Sequence, residues 1–438
     1  MADWRMLRAV VVALIMCVSF PRVAWSQLLE QYFTGGVPGF EQQGGMPVLT
    51  RPRSQYTAPP LYVGGYSVRA GLNESLSHDS NVDGLPNGRS SFLTDTAPSI
   101  EVSRAGTRNQ FGIAASLDDQ RYLETPAQDR TNWTVSLGGR STIGLGTATL
   151  GYGHFDSHQV TTQLGSIPST TAIPVKEDDG QGSYAVAIGR FTVTPNVEDA
   201  RFRYGSGTAR GVRLDESFLN RNVLTGGVTV HYGEDPSRGL VAVLQGIETD
   251  YQRALPGQPN SSARSVLALG GVDYQSDGLF RYLLLAGLER RNFVSSQLAS
   301  VTTPVVEAGV IWIPTGLTTV TTSVSRRIED TTSGAAGSFT YSRARLVLDH
   351  ELRRDVLLQA RTDFQVAEYS LGGTQTSVSV GGGVTWLLGP RLRLTGDYNF
   401  IHQGPLSGGG ALAASGTAAT VGNQYDESLA TLTLHISL

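Results

Sequence analysis

The chain runs to 438 residues, 40% of them apolar and only 16% charged, with a net charge of −4 and both signs dispersed along its length. Charge this sparse lies below the roughly 25% of soluble domains, so water is not expected to be the only solvent. No basic stripe marks a nucleic-acid partner, and with a single lysine, Lys176, the cationic groups are nearly all arginines.

Residues 1–26 read as a secretory signal peptide. Arg5 and Arg8 precede an apolar run over 9–20, and the small Ala24 and Ser26 place the expected cleavage before Gln27. The one cysteine, Cys17, falls in this leader, so the exported chain is expected to carry no disulfide and no Cys-ligated metal. Residues 27–60 are rich in Gln, Gly and Pro and read as a flexible periplasmic tail or a small plug. No linker divides 61–438, which reads as one domain. Beyond the leader no stretch approaches the ~18 to 20 apolar residues of a spanning helix. A membrane protein of this kind must be a closed barrel, since only closure satisfies every backbone group in lipid. The alternative is a secreted soluble β protein that binds glycans.

Period-two alternation recurs in eighteen candidate strands, beginning near Tyr62, Phe92, Gln110, Arg130, Thr147, Gly182, Glu198, Asn222, Gly239, Ala263, Leu279, Thr302, Leu317, Phe339, Val356, Thr376, Arg391 and Tyr425. Side chains on a strand point alternately to opposite faces. Leu358, Ala360, Phe364 and Val366 thus oppose Gln359, Arg361, Asp363 and Gln365, and Leu392, Leu394, Tyr398 and Phe400 oppose Arg391, Arg393, Asp397 and Asn399. The connections alternate between short turns, as at 105–108, 144–146, 195–197 and 353–355, and long loops, as at 78–91, 161–181, 211–221 and 403–423. That sorting matches transmembrane barrels, with tight periplasmic turns, long outer loops and an even strand count. The expected fold is an antiparallel barrel of 18 strands, with 16 as the nearest alternative.

Two girdles of aromatics are expected, because an amphipathic ring prefers the headgroup zone. Tyr122, Trp133, Tyr184, Tyr251, Phe293, Tyr369 and Phe400 are placed at the outer ends, and Tyr232, Tyr274, Tyr282, Trp312 and Trp386 at the inner ends. The last strand sets an apolar row, Ala430, Leu432, Leu434, Ile436 and Leu438, against Thr431, Thr433, His435 and Ser437. Such a row resembles the C-terminal signal of outer-membrane barrels, although it ends in Leu and not Phe or Trp.

The run from Asn73 through His78-Asp79-Ser80-Asn81-Val82-Asp83-Gly84, a second strand with Pro98-Ser99-Ile100, and Arg121-Tyr122-Leu123 after the third strand together resemble the putative β-barrel porin 2 family. The resemblance spans most of the exported chain, with loose motifs. It implies an outer-membrane barrel of alphaproteobacterial type, found with exopolysaccharide systems, without catalytic residues or cofactor. Expected partners are outer-membrane lipid, lipopolysaccharide, the barrel-insertion machinery and a polysaccharide cargo; the oligomeric state is left open.

The charged face is the expected seat of function. Arg201, Arg203, Arg281, Arg343, Arg345, Arg361, Arg391 and Arg393, with Asp349, Glu351, Asp363 and Asp397, are assigned to the interior wall, where rings of charge set which solutes pass. Other motifs are weaker. Asp79 to Gly84 matches half a calcium loop, but position twelve is Ser90, not Glu. It reads as a turn between strands. Glu177-Asp178-Asp179 reads as a solvated outer loop. His154 and His158 lie ~13 Å apart on a strand, too far to share a zinc. A barrel hydrolase built on His154, Asp156, Asp215 and Glu216 is the alternative to a channel. The Gly-rich pieces near Gly138 and Gly381 lack a phosphate-binding Lys.

Overall fold

In the computed structural model, eighteen long strands follow one another around a closed antiparallel barrel. The structure describes residues 48, 51 and 53–438, apart from 160–163, 165–168, 210–211, 236–237, 256, 277–278, 331–336, 371 and 409–423. The expected leader and most of the segment ahead of Leu61 lie outside the described residues. The strands are β1 (Tyr66–Asp79), β2 (Ser91–Ala105), β3 (Asn109–Tyr122), β4 (Arg130–Ile143), β5 (Gly146–Gln159), β6 (Ile173–Ile188), β7 (Phe191–Tyr204), β8 (Arg221–Asp235) and β9 (Arg238–Tyr251). They continue as β10 (Ala263–Ser276), β11 (Phe280–Phe293), β12 (Val301–Thr315), β13 (Thr318–Asp330), β14 (Ser338–Arg353), β15 (Val356–Tyr369), β16 (Thr374–Leu387), β17 (Leu392–Gln403) and β18 (Tyr425–Ser437). Each pairs with its neighbours in sequence. β18 closes the ring on β1 through the register Asn73↔His435, Ser75↔Thr433 and Ser77↔Thr431.

The pleat assigns the faces. Leu432 is exposed on the outside of β18, as are Leu244, Leu284, Leu288, Val380 and Leu240 on their strands. Polar residues alternate with them on the inside, where Ser75 and Ser77 bond to Thr433 and Thr431 across the seam. An apolar exterior and a polar interior is the inverse of a soluble domain, and lipid is the solvent that makes it stable.

Connections at one end are short. The turns at Gly144 (φ 60°) and Gly189 (φ 62°) use the left-handed backbone that tight hairpins need and that glycine adopts without strain. At the other end the loops are long and interlock: the side-chain amide of Gln128 donates to the Ser169 carbonyl at 3.0 Å, and Ser169 Oγ to the Thr208 carbonyl at 2.9 Å.

Sixteen strands begin within a few residues of expectation; β6 and β7 do not. β6 begins at Ile173, not Gly182, and β7 at Phe191, not Glu198, so the turn expected at 195–197 lies inside β7 and the true turn is at Gly189. Glu177-Asp178-Asp179 is therefore strand and not loop. A strand with one polar face tolerates charge at alternate positions, and here Val175 and the buried Phe202 and Tyr204 anchor the wall around it.

Among the described residues the aromatic girdle is fullest at the short-turn end. Phe191 and Tyr232, Tyr274 and Tyr282, and Phe280 and Trp312 meet on the outer face at the short-turn end. Tyr184 joins that end through its hydroxyl bond to the Ile143 carbonyl, because β6 starts earlier than expected. At the long-loop end Tyr122, Tyr251 and Tyr369 are buried. They sit at inward positions of the pleat, and only Trp133 and Phe400 of that group are exposed.

Candidate functional site

Among the described residues, two charged assemblies built on shared ion pairs stand out in the interior. The first lies at mid-depth on β14, β15 and β17, among residues singled out by the charge pattern. Arg343 Nε and Nη2 donate to Asp363 Oδ2 at 2.9 and 2.6 Å, and Arg345 Nε lies 3.2 Å from the same oxygen. Arg361 forms a two-pronged pair with Asp397. That pair reaches from β15 to β17 across β16, and β16 carries Gly381-Gly382-Gly383 at the crossing. A Cβ on Gly381 would lie 2.6 Å from Arg361 Nε, and one on Gly383 would lie 2.8 Å from Asp397 Oδ2. The glycine run is the space through which the ion pair passes. Asp349, on the same wall, accepts from Gln359 at 2.9 Å.

The remaining predicted residues divide. Arg281, Arg391 and Arg393 lie near the short-turn mouth, away from this group; Arg281 is 3.8 Å from Asp273, and Glu351 is held by Arg53 at 2.8 Å. Arg201 and Arg203 are not on the interior. They alternate with the buried Ala200, Phe202 and Tyr204 and so face outward, where Arg201 pairs with Asp199 at 2.7 Å and Arg203 bonds Asn222 at 3.2 Å. Their assignment failed because the mistaken start of β7 removed the residues that fix its pleat.

The second assembly was not anticipated. Near the long-loop end, Asp330 of β13 receives Arg291 from β11 and, at 3.1 Å, Arg221 Nε from β8. The Arg221 guanidinium lies over the rings of Phe202, Tyr204 and Tyr251, at 4.3, 5.7 and 5.8 Å from their centroids. Arg221, Arg291 and Glu289 are all buried, and a cavity of about 60 Å³ beneath them is lined by Glu198, Val223, Ile247 and Thr249. Strand neighbours lie ~4.8 Å apart, so joining β8 to β13 draws together points far apart along the wall. Alternation marks Arg221 and Arg291 as inward, whereas Asp330 shares the parity of the exposed Val324 and turns inward only at the very end of β13. No local pattern shows that they meet.

The weaker motifs resolve plainly. Asp83 pairs with Arg89 through Nε and Nη2, both at 2.8 Å, and Asn81 Nδ2 donates to the carbonyls of Leu85 and Asp426. Burial alone would raise the Asp83 pKa, but the hydrogen bonds and charge of Arg89 bring it below the usual carboxylate value. The half calcium loop is a staple of β1 and β2 to β18, and no group of ligands able to hold a metal occurs among the described residues. His154 faces outward and contacts Asp178 at 2.8 Å; Asp156 pairs with Lys176 at 2.9 Å and Asp215 accepts from the Ser217 backbone. No contact joins them as a hydrolase would require.

This geometry defines a class: a porin-like outer-membrane β-barrel. The family model for putative beta-barrel porin 2 matches residues 53–423, and the chain belongs to that family. No curated protein matches the chain. Similar solved structures include the outer membrane protein OpdK from Pseudomonas aeruginosa, at 11% identity over 86% of this chain and 100% of that one, TM-score 0.46. OccK2 (OpdF) of the same organism has 12% identity over 85% and 98%, TM-score 0.43. A mutant of its ferric enterobactin receptor PfeA has 11% identity over 85% and 80%, TM-score 0.44.

Proposed function

We propose that the barrel is a channel for polar solutes, and that the group Arg343, Arg345, Arg361, Asp363 and Asp397 conditions what passes. The supporting observation is the mid-depth ladder of guanidinium and carboxylate groups on an inward face, in a fold whose outward face is apolar. Barrels of this strand number leave an aqueous lumen, and charge inside a low-dielectric wall acts strongly on ions within it. Hydroxyl pairs, Ser116 with Thr134 at 2.7 Å and Ser77 with Thr431 at 2.8 Å, add a wall suited to polyhydroxy solutes, which favours a carbohydrate cargo such as an exopolysaccharide. Outward ion pairs near the long-loop ends, Lys176–Asp156 and Arg264–Glu248, suit contact with lipopolysaccharide headgroups.

The test is single-channel recording of the refolded chain in a planar bilayer. Ohmic current, blocked by soluble polysaccharide, is expected. Arg345, 21% exposed beside Asp363, is the ladder group to vary: Arg345→Ala should shift the reversal potential towards cation selectivity while leaving folding intact. A folded barrel that passes no current would sink the proposal.

A further inference from the structure

We propose that residues 48, 51 and 53–57, ahead of the barrel, belong to a strap laid against the inner wall of the short-turn mouth that narrows the channel's exit; this rests on the channel reading above. Residues 61–63 pair back on the start of β1, Leu61↔Val68 through Val63↔Tyr66. The chain just before them is anchored elsewhere on the ring. Val48 is fully buried against Leu357 and Leu387, with Tyr56 packed alongside, and its backbone N–H donates to Thr319 Oγ1 at 3.1 Å. Arg51 Nη1 donates to the Gly316 carbonyl at 2.7 Å. Arg53 Nη2 pairs with Glu351 Oε2 at 2.8 Å, each side chain only 13% exposed.

These partners place the segment inside the mouth. Thr319 stands second in β13, Glu351 near the end of β14, Leu357 second in β15 and Leu387 last in β16, and all four occupy inward positions of the pleat. From β1 to β13 is six strand spacings by way of β18, roughly 29 Å along the wall. The described contacts step along the inner wall, from the turn before β13 at Arg51 to β14 at Arg53 and to β15 and β16 at Val48 and Tyr56. An apolar contact, two backbone-directed bonds and a half-buried ion pair fix its far end, whereas a passive tail would leave Val48 in water. The Tyr56 N–H bond to the Arg53 carbonyl at 2.8 Å closes a turn that keeps the strap compact.

Two measurements on the whole protein, refolded and checked for the barrel by heat-modifiable migration, decide the matter. In a Cys17→Ser background, Val48→Cys is treated with a water-soluble maleimide and compared with Tyr62→Cys, whose parent side chain is 72% exposed. A docked strap should slow the reaction at position 48 by at least about tenfold; equal rates would overturn docking. Bilayer conductance is then compared between the parent and a chain lacking 27–57. A peptide with side chains is about 10 Å across, so removing it from the mouth should raise unitary conductance, on the order of twofold. A silent parent and a conducting deletion would show the strap closing the exit altogether. Unchanged conductance would overturn the strap and leave the channel standing. If neither form conducts, the channel reading fails and the strap's role falls with it.

Discussion

The two charged assemblies of the interior use the same residue types for different ends. On β14 to β17, Arg343, Arg361 and Asp363 pair with partners one or two strands away, and the group stays open on one side, with Arg345 and Asp397 21% and 23% exposed. On β8 to β13, Arg221 and Arg291 converge on one carboxylate from widely separated strands, and both are closed off from water, at 2% and 5% exposure. A paired charge left partly wet can act on a passing solute. One sealed under aromatic rings can only brace the wall. The difference is therefore between selectivity and shape, and it predicts that substitutions in the two regions will separate current from stability.

Asp330→Ala should have the largest effect. It leaves two buried guanidiniums without their shared counter-charge, and breaking a buried pair costs about 3–5 kcal/mol. The urea midpoint of the refolded barrel should fall sharply, and loss of the β8 to β13 tie should loosen the long-loop end. A shift under about 1 kcal/mol would mean that the brace is decorative, as surface pairs commonly are.

Glu216 gives the complementary case, a buried carboxylate with no hydrogen-bond partner among the described residues. It lies in the loop after β7, 1% exposed, with neither carboxylate oxygen hydrogen-bonded to the described residues, and burial pushes its pKa up to about 8. A folded pKa above the unfolded value means that the native loop prefers the neutral acid. Its stability should be undiminished below about pH 4.5, fall as the pH rises from there to about 8, and then level off. Glu216→Gln should remove that slope, gaining at most about 3 kcal/mol at pH 7 and nothing at pH 4. Protease cleavage within 205–220, followed against pH, measures it. Parallel profiles for the parent and the variant would show that the carboxyl is solvated.

How much of this was readable from the chain follows the same division. Strand positions and inward faces were legible from Val356 onward because alternation is a local property, and each strand's apolar row fixes its own pleat. The ladder was legible for the same reason, as Arg361 and Asp363 share a strand. β6 and β7 were misread because three consecutive acids in Glu177-Asp178-Asp179 look like a loop unless the inward face is known to be polar, and Arg201 and Arg203 were turned inward as a result. Tyr122, Tyr251 and Tyr369 were placed at the right height but on the wrong face, and Tyr184 at the wrong end. Arg221 and Asp330 are separated by more than a hundred residues, and only closure of the ring brings them together.

The glycines of β16 lie between these extremes, since a missing side chain says nothing until its neighbours are known. Gly381 stands where the Arg361–Asp397 pair crosses from β15 to β17, with Arg361 Nε 2.6 Å, Asn399 Oδ1 2.7 Å and the Tyr398 carbonyl oxygen 2.7 Å from the site of an added Cβ. One of these atoms is backbone, so the clash cannot be relieved by rotating the arginine alone. Gly381→Ala should therefore cost about 1–3 kcal/mol by overpacking, less than Asp330→Ala. It should also displace Arg361 into the lumen, so that unitary conductance changes as well as the urea midpoint. Gly382→Ala is the control. Its side chain would point outward, 3.2 Å from the Gln359 carbonyl oxygen, and it should leave the current unaltered. Equal effects of the two on conductance would show that the ion pair does not depend on the empty space at Gly381, and the wall of β14 to β17 would then be as much a brace as the wall opposite.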